Sequence, residues 1–184
     1  VLPPGSKLSY DQAMYHFISG YTAKVAGTEV GVTEPSSTFS ACFGEAFLPK
    51  HPYLYAKMLA ERVETFKANV WLVNTGWSGG KYGMGERMSL KITRQILDNI
   101  HNGSLEKEDY ETIPGFNLQV PKSCAGLTDM GILNPVNTWK HKSIFNETQY
   151  KLAKQFIDNF EKYEDGTPEN VIQNGGPDIK AFKK

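Results

Sequence analysis

The residues of this chain whose types and spacing could do chemistry are concentrated in one glycine-rich segment, residues 76–85. The short apolar run at residues 70–73 precedes it, and Arg87 and a helical pattern follow it. A strand, a glycine-rich loop and a helix N-terminus in this order can present backbone amides to an anionic ligand. The sequence therefore predicts an anion-binding loop, with Lys81 and Arg87 as its cationic side chains.

The segment matches neither of two common phosphate-binding fingerprints. Three residues separate Gly76 from Gly80, where a Walker A loop has four, and Tyr82 rather than Ser or Thr follows Lys81. The third glycine of a dinucleotide fingerprint is also missing. The alternative interpretation is a surface loop that needs glycine for positive φ, with Trp77 and Tyr82 packed against it.

Other residue types that often carry chemistry are scattered along the chain. The four histidines lie far apart and show no metal-site spacing, which favours solvated or structural roles; they are His16, His51, His101 and His141. Cys42 and Cys124 lack the paired spacing of a zinc site, so buried free thiols are expected. Free thiols weakly favour a cytoplasmic location.

Composition excludes several classes of protein. The apolar fraction of 40% and the aromatic fraction of 12% can build a core, so general disorder is not expected. Acidic and basic residues balance at 20 each, which provides no basic field for nucleic acid or an anionic membrane. No apolar run approaches the roughly 18 residues of a membrane span. The opening VLPPG resembles no signal peptide, and the missing initiator methionine suits a fragment or a processed chain.

Two helices are predicted before the glycine-rich segment. Ser9 and Gln12 form a capping box for the first helix, which should end at Gly20. Pro52 lies in the first turn of the second helix, whose shared apolar face comprises Tyr55, Met58, Leu59, Val63 and Phe66. Between them, residues 27–47 are predicted to be ordered loop with short strands.

The rest of the chain alternates between strand and helix patterns. Residues 70–73 predict a buried strand, residues 89–101 a third helix, and residues 116–120 a further strand. The last long helix is expected at residues 147–163, with an apolar stripe of Leu152, Ala153, Phe156, Ile157 and Phe160. Beyond it, residues 165–184 have the composition of a terminal tail.

Several runs of the sequence resemble signatures of ATP-dependent phosphoenolpyruvate carboxykinases. They are GYTAKVAGTE at 20–29, TEP at 33–35, TFSACFG at 38–44, LVNTGW at 72–77 and RMSLKITR at 87–94, with VLPP and FIDNF fitting the two ends. The runs follow the order found in the family and cover the whole chain. Together they are highly specific, and they correspond to about the last third of such an enzyme.

The resemblance implies an α/β fold, in which residues 1–184 are the C-terminal part of a single mononucleotide-binding domain. It implies the conversion of oxaloacetate and ATP to phosphoenolpyruvate, ADP and CO₂, a gluconeogenic reaction that uses Mg²⁺ and Mn²⁺. In the family, the P-loop, the metal ligands and the substrate-binding arginine lie upstream of this segment. No catalytic residue and no metal ligand is therefore expected here, and the isolated chain should be inactive.

The resemblance implies that this chain contains residues of the family's adenine-nucleotide site. Arg87 matches an arginine whose flat guanidinium lies against the adenine nucleotide, Met88 matches a residue lining the adenine site, and Thr93 matches a threonine that contacts the base. Two positions depart from the family pattern. Ile92 replaces a common Asp, and Val136 stands where an arginine is usual, which puts a charge role for that loop in doubt.

The implied partners are ATP or ADP and the upstream part of the same enzyme, without nucleic acid or membrane. The sequence does not indicate an oligomeric state. A second hypothesis from another class remains open: a non-catalytic nucleotide- or partner-binding module that retains this fold.

Overall fold

The structure is a computed structural model that describes residues 1–24 and 34–182. The chain divides into two compact units. The first comprises Val1–Leu8, Trp71–Ala153 and Asp178–Lys184, and the second comprises Ser9–Val70 and Lys154–Pro177. Helices and strands occur in both, in agreement with a mixed α/β class. Half of the run at 20–29, residues 25–29, together with residues 30–33, lies outside the described residues.

Eight strands and five α-helices are present in the described part of the chain. The strands are β1 (Gly5–Leu8), β2 (Tyr21–Lys24), β3 (Ser36–Phe39), β4 (Val70–Val73), β5 (Trp77–Ser78), β6 (Glu86–Arg87), β7 (Tyr110–Ile113) and β8 (Leu118–Pro121). The helices are α1 (Tyr10–Ser19), α2 (Pro52–Phe66), α3 (Leu90–His101), α4 (Lys142–Phe160) and α5 (Glu169–Gly175). No helix in the described ranges combines the length and apolar character that crossing a bilayer requires.

A four-stranded sheet organises the first unit, in the order β4-β1-β8-β7. β8 pairs antiparallel with β1 and with β7, and Leu118 stands opposite Ile113. Leu118 and Val120 point to one face and are fully buried, as the period of two requires. The strand predicted at 116–120 is present but begins two residues later, because residues 116 and 117 belong to the turn before β8. Its hairpin partner β7 was not predicted. β7 carries Glu111 and Thr112 and lacks an apolar pattern, so its pairing with β8 defines it.

The strand predicted at residues 70–73 is present as β4, but the prediction that it is buried is wrong. All four of its residues are half-buried. β4 lies at the edge of the sheet and has a single neighbour, β1, so the sheet covers only part of it.

Helix α3 follows the glycine-rich segment and packs into the core of the first unit. Ser89 caps it, because its side chain accepts a hydrogen bond from the Ile92 amide. Ile96 is 1% exposed and packs with Leu105, Cys124 and Leu133. Four partly buried side chains pack against this cluster: Trp71, Ile92, Ile100 and Leu127. The predicted helix at 89–101 is confirmed.

Helix α4 begins at Lys142 rather than near Glu147. Phe145 is 3% exposed, and its ring meets Trp139 edge-on at 5.6 Å, so burial of Phe145 stabilises an additional first turn. At the other end, α4 stops at Phe160 and continues as a 3₁₀ helix, Glu161–Gly166. The expected stripe is buried except for Ile157, which is half-buried.

The second unit starts with α1, whose local signals act as predicted. Ser9 and Gln12 form the reciprocal capping box, and Gly20 ends the helix in the left-handed conformation at φ 55°. A Cβ at Gly20 would lie 1.7 Å from the Ser40 carbonyl oxygen, so the close chain approach also requires glycine. β2 and β3 then pair antiparallel, with Tyr21 opposite Phe39.

Residues 165–182, which the composition suggests are a tail, are folded in the structure. Within them, α5 packs against α1, and Val171 is fully buried. Asp11 accepts hydrogen bonds from the side chains of Asn170 (2.7 Å) and Asn174 (3.0 Å). The polar composition was misleading because these amides bind a carboxylate on another helix.

Helix α2 begins at Pro52 as predicted, but its predicted apolar face is only partly correct. Three of the five predicted residues are half-buried; they are Tyr55, Leu59 and Val63. Met58 is 62% exposed and Phe66 is 69% exposed, whereas the buried side chains are Ala56 and Ala60. The most deeply buried side of α2 is therefore the side with alanines, and Met58 and Phe66 stay accessible.

Candidate functional site

The glycine-rich segment is attached firmly to the edge of the sheet in the first unit. Asn74, directly after β4, donates from its side-chain amide to the Leu2 carbonyl (2.9 Å). Its Oδ1 accepts from the Gly76 amide (3.0 Å), and its own amide donates to the Pro4 carbonyl (3.2 Å). The segment therefore starts from a fixed position beside β1.

The segment itself is a small two-stranded ribbon. β5 and β6 are antiparallel, with Trp77 opposite Arg87 and Ser78 opposite Glu86. The Met88 amide donates to the Gly76 carbonyl at 2.9 Å and extends the pairing toward α3. A ribbon of this kind leads the chain directly into the helix N-terminus.

The connection between β5 and β6 depends on a close approach of two glycines. A Cβ at Gly85 would lie 2.5 Å from the Ser78 carbonyl oxygen and 2.6 Å from the Gly80 amide nitrogen. The amides of Met84 and Gly85 both donate to the Lys81 carbonyl, at 3.0 and 2.8 Å. Glycine is thus needed here to close the ribbon. Gly79 and Gly83 adopt positive φ, at 75° and 80°, as the alternative interpretation of the loop predicted.

Two aromatic rings line one side of the ribbon. The Arg87 guanidinium carbon lies 5.6 Å from the centroid of the Trp77 ring, within the range of a cation–π contact. Tyr82 meets Trp77 edge-on, with centroids 5.4 Å apart and an interplanar angle of 88°. The expected packing of Trp77 and Tyr82 on the loop is present, and it includes Arg87.

The three predicted nucleotide residues lie at the end of the ribbon and in the first turn of α3. Arg87 is exposed, and Met88 and Thr93 are half-buried. The Thr93 amide donates to the Ser89 carbonyl at 3.1 Å, which places Thr93 one turn inside the helix. The three residues therefore follow one another along the entrance to α3, and the ligand role of each stays a prediction.

The electrostatics of this entrance favour an anion. The N-terminus of α3 carries a partial positive charge, and no acidic residue lies in its first turn. Lys91 and Arg94 are exposed on the helix, and Arg87 directly precedes the cap. In the part of the chain that the structure describes, no carboxylate forms a salt bridge with Arg87.

A second loop supports the glycine-rich segment, and sequence reasoning missed it. The Gly79 amide donates to the Thr138 hydroxyl (3.0 Å), which itself donates to the Pro135 carbonyl (2.8 Å). Val136, the departure from the family pattern, is half-buried in the same loop and brings no charge. A contact between residues 79 and 138 leaves no local signal in the sequence.

The histidines for which the structure gives a role are structural. Burial lowers the pKa of His16 to about 4. His51 caps α2, because its Nδ1 accepts a hydrogen bond from the Tyr53 amide at 3.2 Å. Among the described residues, no group of three or more His, Cys, Asp or Glu side chains is arranged to hold a metal ion.

The two cysteines are free, as expected. Burial raises the pKa of the Cys42 thiol to about 11, and burial together with the charge of Glu108 raises the pKa of Cys124. A raised pKa keeps a thiol protonated at neutral pH, so neither cysteine has the properties of an activated nucleophile.

Comparison with known proteins gives a consistent result. A family model described as phosphoenolpyruvate carboxykinase matches residues 1–130. The chain is 56% identical over 179 residues to the phosphoenolpyruvate carboxykinase (ATP) of Campylobacter lari, covering 97% of this chain and 34% of that protein. It is 54% identical over 177 residues to the enzyme of the same name from Leptospira biflexa, covering 96% and 33%. The chain thus spans about a third of the length of these relatives.

Proposed function

The chain belongs to the ATP-dependent phosphoenolpyruvate carboxykinase family, and we propose that it is the C-terminal part of such an enzyme and contributes part of its adenine-nucleotide site. The single observation that carries this proposal is the position of Arg87. Its exposed guanidinium lies over the Trp77 ring at the entrance to a helix N-terminus and has no salt-bridge partner among the described residues. A planar cation in this position suits a purine nucleotide.

Each of three side chains makes a different contact with the nucleotide in this proposal. Arg87 lies flat against the adenine nucleotide, Met88 supplies an apolar, polarisable surface to the base, and the Thr93 hydroxyl forms a hydrogen bond with it. Met88 and Thr93 are only half-buried in the described structure, so both retain surface for a ligand. The amides at the N-terminus of α3 add a favourable potential for the negative nucleotide.

The proposed reaction of the whole enzyme starts with decarboxylation of oxaloacetate. The electron pair of the broken carbon–carbon bond remains in an enolate of pyruvate, whose oxygen attacks the γ-phosphate of ATP to give phosphoenolpyruvate and ADP. Mg²⁺ and Mn²⁺, when bound, offset the charge of the phosphates. The described residues offer no set of side chains that could hold these metals, so we propose that the metal ligands and the P-loop lie upstream of this segment. The upstream residues and this chain together form one nucleotide-binding domain. The whole enzyme works in the cytoplasm.

The partner implied by this proposal is the remaining part of the enzyme. Leu54 (45% exposed) and Met58 (62%) lie one turn apart on α2, and Phe66 (69%) lies on the same helix. Exposed side chains of this size are typical of a surface that another polypeptide covers. Since the relatives are about three times as long as this chain, their remaining part is the occupant we propose for this side of α2.

Reconstitution tests the function. We would mix the purified chain with a separately produced upstream part of a family member and assay formation of phosphoenolpyruvate from oxaloacetate and ATP. A true part of the enzyme should restore turnover, and the Arg87→Ala chain should restore it with a higher KM for ATP. The variant Lys122→Ala, which removes an exposed cation directly after β8, is the control.

The second candidate is a non-catalytic nucleotide- or partner-binding module. The glycine-rich ribbon is compatible with it, because glycine is already required there by the chain geometry. A module of this kind would bind a nucleotide and still fail to restore turnover when mixed with the upstream part. Reconstitution therefore separates the two candidates, whereas a nucleotide titration alone does not.

A further inference from the structure

The pairing of β5 with β6 places the side chains of Trp77 and Arg87 next to each other. They stand directly opposite each other in the β5–β6 pairing, where opposing side chains lie on the same face. The guanidinium carbon is 5.6 Å from the centroid of the indole. The indole also meets the Tyr82 ring in a T-shaped contact, with centroids 5.4 Å apart.

The backbone on both sides of the pair is fixed. On the β5 side, the Gly76 amide binds Asn74 and the Gly76 carbonyl accepts from the Met88 amide. On the loop side, the backbone of Gly85 approaches Ser78 and Gly80 so closely that no Cβ would fit. The backbone contacts on both sides of the pair hold the two strands in this register.

We propose that Trp77 is a positioning residue for Arg87, which it holds with one guanidinium face covered and the opposite face presented to an adenine nucleotide. The inference rests on the nucleotide role proposed above for Arg87. Arginine loses considerable rotamer freedom when a ligand orders it, and a contact that orders it beforehand reduces that cost at binding. The indole is suited to the task because Trp has the strongest cation–π attraction among the aromatic side chains.

A charged partner would perform the task less well. A carboxylate beside Arg87 would neutralise the cation and occupy its N–H edge, which a nucleotide phosphate or base nitrogen could use. The indole covers a face and leaves both the charge and the N–H edge accessible. Trp77 thereby orients Arg87 without competing with the ligand.

The test measures ADP binding by calorimetry in the full-length enzyme of which this chain is proposed to be part. Trp77→Leu keeps apolar bulk and removes the π face, and its Kd for ADP should rise about five-fold. Trp77→Phe keeps a ring and should stay within about two-fold of wild type. Trp139→Leu is the control, because Trp139 packs on Phe145 instead, and its Kd should not change.

A double-mutant cycle distinguishes positioning from packing. In an Arg87→Ala background, Trp77→Leu should have no further effect on the Kd for ADP, because the group it orients is gone. The KM for oxaloacetate should be unchanged in all variants. An equal effect of Trp77→Leu in both backgrounds, no effect in either, or an equal effect of Trp139→Leu would overturn the positioning role while the nucleotide role of Arg87 stands.

A wrong assignment of Arg87 to the nucleotide site would give a different result from a wrong positioning role for Trp77. If Arg87→Ala by itself leaves the Kd for ADP at the wild-type value, the nucleotide role of Arg87 is wrong, and the positioning role falls with it. If the leucine variant does not fold, a different change to the indole is needed, because Trp77→Phe is itself expected to bind ADP much as wild type does. In that case, the fluorinated analogue 5,6-difluorotryptophan, which weakens the π face at constant shape, should raise the Kd, and an unchanged Kd would contradict the proposal.

Discussion

His16 gives the second unit a predictable sensitivity to acid. Its side chain lies on α1 and is 6% exposed, with its ring edge-on to Phe156 at 5.5 Å and to Tyr15 at 6.0 Å. Burial among these rings disfavours the imidazolium and lowers the pKa of His16 from 6.5 to about 4. The same histidine in the unfolded chain has the ordinary pKa and therefore binds a proton first as the pH falls.

The sign and size of the effect follow from proton linkage. Between pH 6.5 and 4 the unfolded state binds more protons, so the free energy of unfolding decreases as the pH falls through this window. The contribution is complete above the unfolded pKa and is lost at the folded pKa. At about 1.4 kcal/mol per pH unit, the loss is about 3 kcal/mol over the whole window and about 2 kcal/mol between pH 7.5 and 5.

Urea unfolding of the chain at pH 7.5 and pH 5, followed by circular dichroism, measures this loss. His16→Leu removes the titrating group and keeps an apolar side chain in the site, so it should lose about 2 kcal/mol less than wild type over this range. His101→Asn, at the exposed end of α3, should behave as wild type because it retains the buried His16. Equal acid losses in wild type and His16→Leu, or an NMR titration of the His16 ring near pH 6.5, would refute the reasoning.

Three further predictions concern the nucleotide site. In the assembled enzyme, Arg87→Ala should raise the KM for ATP about ten-fold, since a stacked cation contributes roughly 1–2 kcal/mol. The KM for oxaloacetate should not change, and Arg87→Lys should recover only part of the ATP affinity. An ATP KM for Arg87→Ala within two-fold of wild type would contradict the role of Arg87. The isolated chain should form no phosphoenolpyruvate from oxaloacetate, ATP, Mg²⁺ and Mn²⁺, because the groups that position the γ-phosphate are expected upstream; turnover above background by the pure chain would disprove this. The full-length protein should prefer ATP to GTP, as its resemblance at residues 20–29 and 87–94 implies; comparable kcat/KM values for the two nucleotides would show that these runs do not determine the base.

Local signals in the sequence were sufficient wherever a few neighbouring residues determine the structure. The capping box of Ser9 and Gln12 and the end of the first helix at Gly20 each involve groups within four residues of one another, and both appear as predicted. The family was also available from the sequence, because several runs in a fixed order are specific when taken together.

Burial could not be predicted in the same way, because it depends on which elements pack together. The apolar pattern of α2 identified a helix, yet Met58 and Phe66 are exposed and the alanines are buried. The polar composition after residue 165 suggested a tail, yet Asn170 and Asn174 bind Asp11, more than 150 positions away. Hydrophobic periodicity indicates whether a segment is a helix or a strand, but it does not indicate which element packs against that segment.

The candidate site combines both kinds of information. The sequence by itself determined the order of strand, glycine-rich segment and helix, and it identified Arg87, Met88 and Thr93 as candidates. Only the tertiary structure placed the Arg87 guanidinium on the Trp77 ring and the Thr138 hydroxyl on the Gly79 amide. The first contact forms only after the backbone has closed the ribbon. The second joins residues 59 positions apart, and it forms only after the second loop lies against the ribbon.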